Sequence, residues 1–450
     1  MNKKIKSIKV DREYIEIYPV NWEIISQNTV NNIFSTRSLD EIRNISLYVH
    51  IPFCPTICPF CKFNIAKYDF LIYKDYIEAL KKEILLYKNH IDLEDRKVTA
   101  IYFGGGTGSM LAPKEAKQIL NLINKVFSVS KEVEVTIECH PSTVNFQKLQ
   151  DYKKAGINRV SLGIQSFQDQ NLKSIGRTHT ASFNEKILKT ALKTGFNCVV
   201  MDLMYRLPNQ TLKNLEFDLK KIKEFSPDGI STYSLEPEAT TLEKRAQEIP
   251  SEDIDKKMFY FVGDFLEGAG YRRFMQPDFS KPGKECKYVL NSWKSPQQLM
   301  LGLGAGAHTH YFGGHVWANI YPVKSYLKAI NDGYFPGIMG INVSVNELMA
   351  KYMVLGVRGI VVDKRKFQDV FRKDIIEKFG KKIKELEQLG WLKNVKDKIE
   401  VTREGLYYID NISKTFYTTK NKNQGQPWLK NLYNLIPQNF YKKPKIIEST

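Results

Sequence analysis

The chain has 450 residues, which exceeds the reach of one hydrophobic core and predicts two or three domains. Its 42% hydrophobic and 26% charged residues are an ordinary globular balance, and no apolar run approaches the roughly 18 residues a membrane-spanning helix needs. The formal charge of +18 is uneven, with 22 Lys and Arg against 11 Asp and Glu in residues 351–450; it suits acidic partners such as nucleic acid, anionic membrane or a polycarboxylate substrate, or a solvated lysine-rich surface.

The N-terminus is basic, but Ser7, Asp11, Arg12 and Glu13 follow instead of an apolar stretch, so no secretory signal is read and a cytoplasmic location is expected. Of six cysteines, Cys139, Cys198 and Cys286 are scattered and read as packing residues in a reducing compartment. Residues 1–45 are read as an N-terminal arm. Its Tyr18, Pro19 and Trp22 are apolar enough to fold over a site, or to act only as a surface strap.

From Ser46 onward, strand-like runs alternate with runs of helical period, the pattern of βα units around a parallel sheet. Strands are predicted at Leu47–Pro52, Val98–Phe103, Val133–Cys139, Arg159–Gln165, Val199–Tyr205 and Gly229–Leu235. Helices are predicted at Tyr73–His90, Pro113–Val126, Asn145–Ala155, Asn184–Thr194 and Leu212–Phe225, with Gly156 and Gly195 as left-handed caps. Six repeats make the fold class α/β, a partial (β/α)6 barrel related to the TIM barrel. In such barrels chemistry gathers where the strands end. Here those ends carry the Cys54 loop, Gly104-Gly-Gly-Thr107, Glu138, Gln165, Asp202 and Glu236. A glycine run after a buried strand lets a ligand approach the backbone amides, although such a run alone marks a turn as readily as a site.

The loop after strand one places Cys54, Cys58 and Cys61 within eight residues. Four thiolates close an iron–sulfur cluster, so three leave one iron open to an outside ligand. A structural zinc site is the alternative, with His50 or His90 as a fourth ligand, though such sites usually show paired CxxC knuckles.

The CxxxCxxC spacing is similar to that of the radical S-adenosylmethionine (radical SAM) enzymes, in which the open iron takes the amino and carboxylate groups of SAM and cleavage releases a 5′-deoxyadenosyl radical. Further stretches narrow the likeness: Leu47-Tyr-Val-His-Ile-Pro-Phe-Cys54, Phe103-Gly-Gly-Gly-Thr107, Thr136-Ile-Glu-Cys-His-Pro141, Arg159 to Phe167, Gly176-Arg177, Met201 to Thr211, and Leu301 to His308. With these the chain resembles the oxygen-independent coproporphyrinogen III oxidase-like (HemN/HemW-like) family. The resemblance implies that Cys54, Cys58 and Cys61 ligate a 4Fe-4S cluster. It implies that Tyr48, Gly105 and Glu138 contact the SAM on that cluster, and that Phe60, Gly106, Thr107, Gln165, Arg177 and Asp202 contact a second SAM. Two further family contact positions fall on Glu236 and His308, where the residue types differ from those of the oxidase itself. The haem-chaperone branch carries His-Asn-x-x-Tyr-Trp after a Cys and a basic residue. Here that stretch reads Cys286-Lys287-Tyr288-Val289-Leu290-Asn291-Ser292-Trp293, without the histidine that would ligate haem iron.

The radical SAM core is placed at residues 46–280, a core extension and linker at 281–345, a C-terminal winged-helix-like cap at 346–420 and a flexible tail at 421–450. In the cap, Ile375–Leu389 is an amphipathic helix stopped by Gly390, followed by a short hairpin and another helix from Arg403. The leading functional expectation is anaerobic radical chemistry on a tetrapyrrole, either decarboxylation of a coproporphyrinogen or modification of a haem or porphyrin. Arg206, Arg272 and Arg273 are candidates to clamp a propionate. The alternatives are a radical C-methyltransferase of a small metabolite using a second SAM, and a haem chaperone without turnover. A flavodoxin- or ferredoxin-type electron donor is the expected protein partner, and nucleic acid binding is disfavoured.

Overall fold

The computed structural model describes residues 8–11, 18–19, 23–24, 44–88, 96–238, 240–293, 299–311 and 315–419. Trp22, His90 and the tail at 421–450 lie outside the described residues.

The six predicted repeats form. Their strands are β1 (Asn44–Ile51), β2 (Lys97–Gly105), β3 (Val129–Cys139), β4 (Arg159–Gln165), β5 (Cys198–Tyr205) and β6 (Gly229–Ser234), hydrogen-bonded side by side in chain order and all parallel. Helices cover one face and the barrel interior the other, so the apolar side chains Ile45, Leu47, Val49 and Ile51 of β1 are fully buried. The covering helices are α1 (Phe70–Tyr87), α2 (Pro113–Val126), α3 (Phe146–Ala155), α4 (Ala181–Thr194) and α5 (Leu212–Phe225). Local chemistry sets their ends: Asp69 accepts from the amides of Leu71 and Ile72 at the start of α1, Asn145 from Lys148 at α3 and Thr211 from Asn214 at α5. Gly156 and Gly195 take the left-handed conformation that stops α3 and α4.

The sheet does not end with the sixth repeat. Helix α6 (Glu252–Gly268) leads into β7 (Asp278–Ser280), which pairs antiparallel with β6. On the other side, β8 (Leu299–Leu303) pairs parallel with β1, followed by β9 (His308–His310), β10 (His315–Asn319) and β11 (Gly337–Asn342), each antiparallel to its neighbour. With the short strands Glu23–Ile24 and Arg272–Arg273 at its two edges, these make one thirteen-stranded sheet with β1 in its interior. A buried carboxylate fastens this seam. Glu83 of α1 accepts from the Gly304 amide at 2.7 Å, from Asn319 Nδ2 at 2.7 Å and from the Tyr326 hydroxyl at 2.6 Å. Three donors on one carboxylate offset the cost of burying it.

The C-terminal region begins with α7 (Val345–Gly356). It continues through a strand at Val361–Asp363, the helices Lys364–Phe371 and Ile375–Gln388, and a hairpin of Leu392–Asn394 and Lys398–Val401 that completes a three-stranded sheet. Phe367, Phe371 and Phe379 form its core together with Tyr352, and Trp391 stacks on Tyr408 with ring centres 4.4 Å apart. The predicted helix–glycine–hairpin–helix order is present, with Gly390 left-handed at φ 75° and a helix at Arg403–Tyr407.

Candidate functional site

The cysteine loop leaves β1 at the C-terminal end of the barrel. The amide of Gly106 donates to Ile51 O at 2.9 Å, Ala66 to Pro52 O at 2.8 Å and Tyr68 to Cys54 O at 2.9 Å, so the loop is tied at both ends. A Cβ on Gly106 would collide with Pro52 O and lie 3.0 Å from Cys54 Sγ, which is why a bare backbone is needed beside the thiol. Thr107 donates to Cys54 Sγ at 3.4 Å. Burial pushes the Cys54 thiol up and carries Cys61 up to about 11, while the cationic Arg177 pulls both back. Ligation requires thiolates, so a bound cation and Arg177 act in the same direction.

Glu138, at the end of β3, accepts from Tyr102 Oη at 2.8 Å and from the Gly105 amide at 3.3 Å. Tyr102 stacks on Tyr288, with ring centres 4.6 Å apart, and on Tyr48 at 6.2 Å. Gln165 ends β4 with φ 68°, an uncommon conformation for a residue with a side chain, and its Oε1 is buried without a partner. Arg177 Nε and Nη1 are likewise buried without partners, and its guanidinium lies 5.5 Å from the centre of the Phe60 ring. A Cβ on Gly163 would meet Gln165 Nε2 at 3.3 Å, Arg177 Nη2 at 3.4 Å and Asp202 Oδ2 at 3.8 Å. These three side chains, distant in sequence, therefore converge over one glycine. Burial, reinforced by Glu138, pushes Asp202 up to about 7.

Glu236 reaches the cysteine loop, pairing with Lys62 at 3.0 Å, and its burial raises it to about 7. His308 Nε2 meets the Tyr321 hydroxyl at 2.7 Å. His50 is engaged at both nitrogens, with the Tyr48 hydroxyl at 3.3 Å and Asn64 O at 3.0 Å. Two of the three arginines named as clamp candidates are engaged elsewhere. Arg206 donates to Pro250 O at 3.0 Å and Leu235 O at 3.2 Å, Arg273 packs 4.3 Å from the Phe279 ring centre, and Arg272 stands on a short strand at the sheet edge. Sequence reasoning passed over His140 and His179, whose rings lie 5.2 Å apart beside Arg177. Burial and then the Arg177 charge hold His179 down to about 4. The Thr136 to Pro141 stretch was the available signal for His140; His179 had none beyond following Arg177.

Among the described residues no three His, Cys, Asp or Glu side chains converge as around a single metal ion. A four-iron cube takes each thiolate on a different iron, so its ligands stand wider apart than those of one ion. The donor set fits that group: three thiols of one loop, a glycine backbone pressed against them, and unpartnered polar atoms next to them.

Residues 48–222 match the radical SAM superfamily, and residues 343–408 match the HemN C-terminal domain. The heme chaperone HemW of Bacillus subtilis (strain 168) is 32% identical over 367 residues, spanning 80% of this chain and 96% of that protein. This chain belongs to the HemN/HemW-like family of radical SAM proteins. With that family come a 4Fe-4S cluster and S-adenosylmethionine. The oxygen-independent coproporphyrinogen III oxidase of Helicobacter pylori (strain ATCC 700392 / 26695) is 27% identical over 400 residues, 84% of this chain and 87% of that one. The solved coproporphyrinogen III oxidase (HemN) of Escherichia coli superposes with a TM-score of 0.78 at 23% identity, covering 91% of this chain and 99% of that one, and so shares the fold. By identity the chaperone branch stands ahead of the oxidase, the reverse of the order expected from the altered motif at 286–293.

Proposed function

We propose that the protein is a haem-handling radical SAM protein that binds SAM at the ends of the barrel strands. The haem assignment is supported by the 32% identity to a protein named a heme chaperone along nearly its whole length. Cys54, Cys58 and Cys61 would hold the cluster, which supplies one electron to a bound sulfonium. The SAM site rests on the convergence of Gln165, Arg177 and Asp202 over Gly163. An orphan guanidinium edge is matched by a carboxylate, an orphan amide oxygen by an amine or hydroxyl, and the carboxylates of Glu138 and Asp202 by a cation. SAM carries all of these groups. Tyr48, Gly105 and Glu138 would hold the molecule nearest the thiols; Phe60, Gly106, Thr107, Gln165, Arg177 and Asp202 would hold a second.

A second reading, in which the tetrapyrrole is decarboxylated or takes up a methyl-derived carbon, is favoured by Tyr288. It stands where the chaperone motif has histidine, and its ring is committed to Tyr102 while its hydroxyl meets Met300 Sδ at 3.1 Å. The imidazole expected to bind iron is replaced by a packed phenol.

Reconstituted protein incubated without oxygen with SAM, dithionite and either haem or coproporphyrinogen separates the readings. A chaperone holds haem stoichiometrically, returns it at unchanged mass and forms no 5′-deoxyadenosine in response to it. Turnover gives 5′-deoxyadenosine together with loss of carbon dioxide or gain of carbon. Failure to bind either tetrapyrrole would overturn both readings.

A further inference from the structure

Outside the barrel, a groove of about 450 Å³ runs between the cysteine loop and the segment after β10. Its volume lies within the range of small-molecule sites, roughly 300–1,000 Å³. Phe53, Ile65, Ile72 and Val323 supply apolar walls, and Lys67 and Lys324 stand at it from opposite sides. Both lysines are exposed, and among the described residues neither has an ion-pair partner, in contrast to Lys62, which Glu236 neutralises. Two free cations flanking an apolar slot match a flat hydrophobic body that bears carboxylates.

The groove shares its inner wall with the candidate site. Asn64 lines the groove; its side-chain amide donates to Ala305 O at 3.3 Å, and its backbone carbonyl accepts from His50 Nε2 at 3.0 Å. Tyr321 lines it as well and is bonded to His308. One layer of side chains therefore separates the groove from His50 and His308. Phe53, directly before Cys54, also lines the groove.

We propose that this groove is the docking site for one edge of the tetrapyrrole, with its propionate carboxylates on Lys67 and Lys324. The inference rests on the haem-handling reading and deepens it, because it assigns the cargo to a place independent of the position occupied by Tyr288. Binding at this edge leaves the SAM-contact residues free, so cargo and SAM are accommodated together.

The test is fluorescence titration of the full-length protein with coproporphyrin III, compared with its tetramethyl ester, which lacks the carboxylates. Wild type is expected to bind the acid at least 10-fold more tightly than the ester. The double variant Lys67→Glu, Lys324→Glu should lose at least 10-fold for the acid and little for the ester, with an unchanged melting temperature and unchanged SAM binding. Ala66→Phe, which fills the slot without touching charge, should weaken both ligands. Retention of wild-type affinity by both variants would overturn the groove assignment while leaving the haem-handling reading intact. Absence of any tetrapyrrole binding by wild type would overturn both.

Discussion

Two arginines divide the molecule. Arg358, at the junction of the barrel and the C-terminal region, is almost wholly buried and pairs with Asp410, with a further contact to Gln276 O at 3.4 Å. Arg177, at the barrel mouth, is nearly as buried, yet its Nε and Nη1 find nothing to bond and its best backbone contact, to Gly163 O, is 3.5 Å long. Burial costs each of them solvation. One is answered within the chain, and the other is left open for a ligand to answer. A structural charge and a binding charge are thus told apart by their partners, not by their exposure.

The largest expected effect lies at the thiols. Replacing Cys54, Cys58 or Cys61 with alanine should abolish the iron and sulfide content of anaerobically reconstituted protein while leaving the melt of the iron-free protein close to wild type. Next comes Arg358→Met, which leaves Asp410 without its cation. A loss of about 3–5 kcal/mol is expected in chemical denaturation, as for a buried pair deprived of one member. Arg177→Met should do the opposite: apoprotein stability unchanged or raised by about 1 kcal/mol, because an unpaired buried charge is removed, and SAM affinity lowered about 10-fold, the equivalent of about 1.4 kcal/mol. If Arg177→Met destabilised the apoprotein as much as Arg358→Met, the contrast between them would be wrong.

The smallest effect is on pH dependence. Asp202 has its pKa raised in the folded state, from an ordinary 3.8 to about 7. Its contribution to stability is therefore present below the unfolded value and is lost as pH rises through about 7. Apoprotein unfolding free energy measured from pH 4 to 7 should fall more steeply in wild type than in Asp202→Asn.

The same contrast explains what the sequence could reveal. The strands were legible from their β-branched and apolar residues set between helical periods: Arg159–Gln165, with Val160, Leu162 and Ile164 buried, was placed at its observed ends, and Pro113–Val126 and Leu212–Phe225 were placed likewise among the helices. The strand ends singled out Gln165 and Asp202, which the fold brings together over Gly163. Strand β8 was missed as a partner of β1. Leu-Met-Leu-Gly-Leu carries no sign that its neighbour lies about 250 residues earlier, because pairing between distant segments leaves no local period. The surroundings of Arg273 were hidden for a related reason: the sequence displays a charge but not the Phe259 and Phe279 rings it packs against.

The pairing of β1 with β8 has a consequence for biogenesis. At about 5–20 residues per second, a growing chain exposes one flank of the strand leading to Cys54 for roughly 10–50 seconds before β8 is made. A chain cut after residue 296 is expected to lose the cooperative melt of the full-length protein, because the Ile45–Val49 flank is left unpaired. The strand that leads to the cysteine loop thus gains its second flank only when the last parallel strand is laid down.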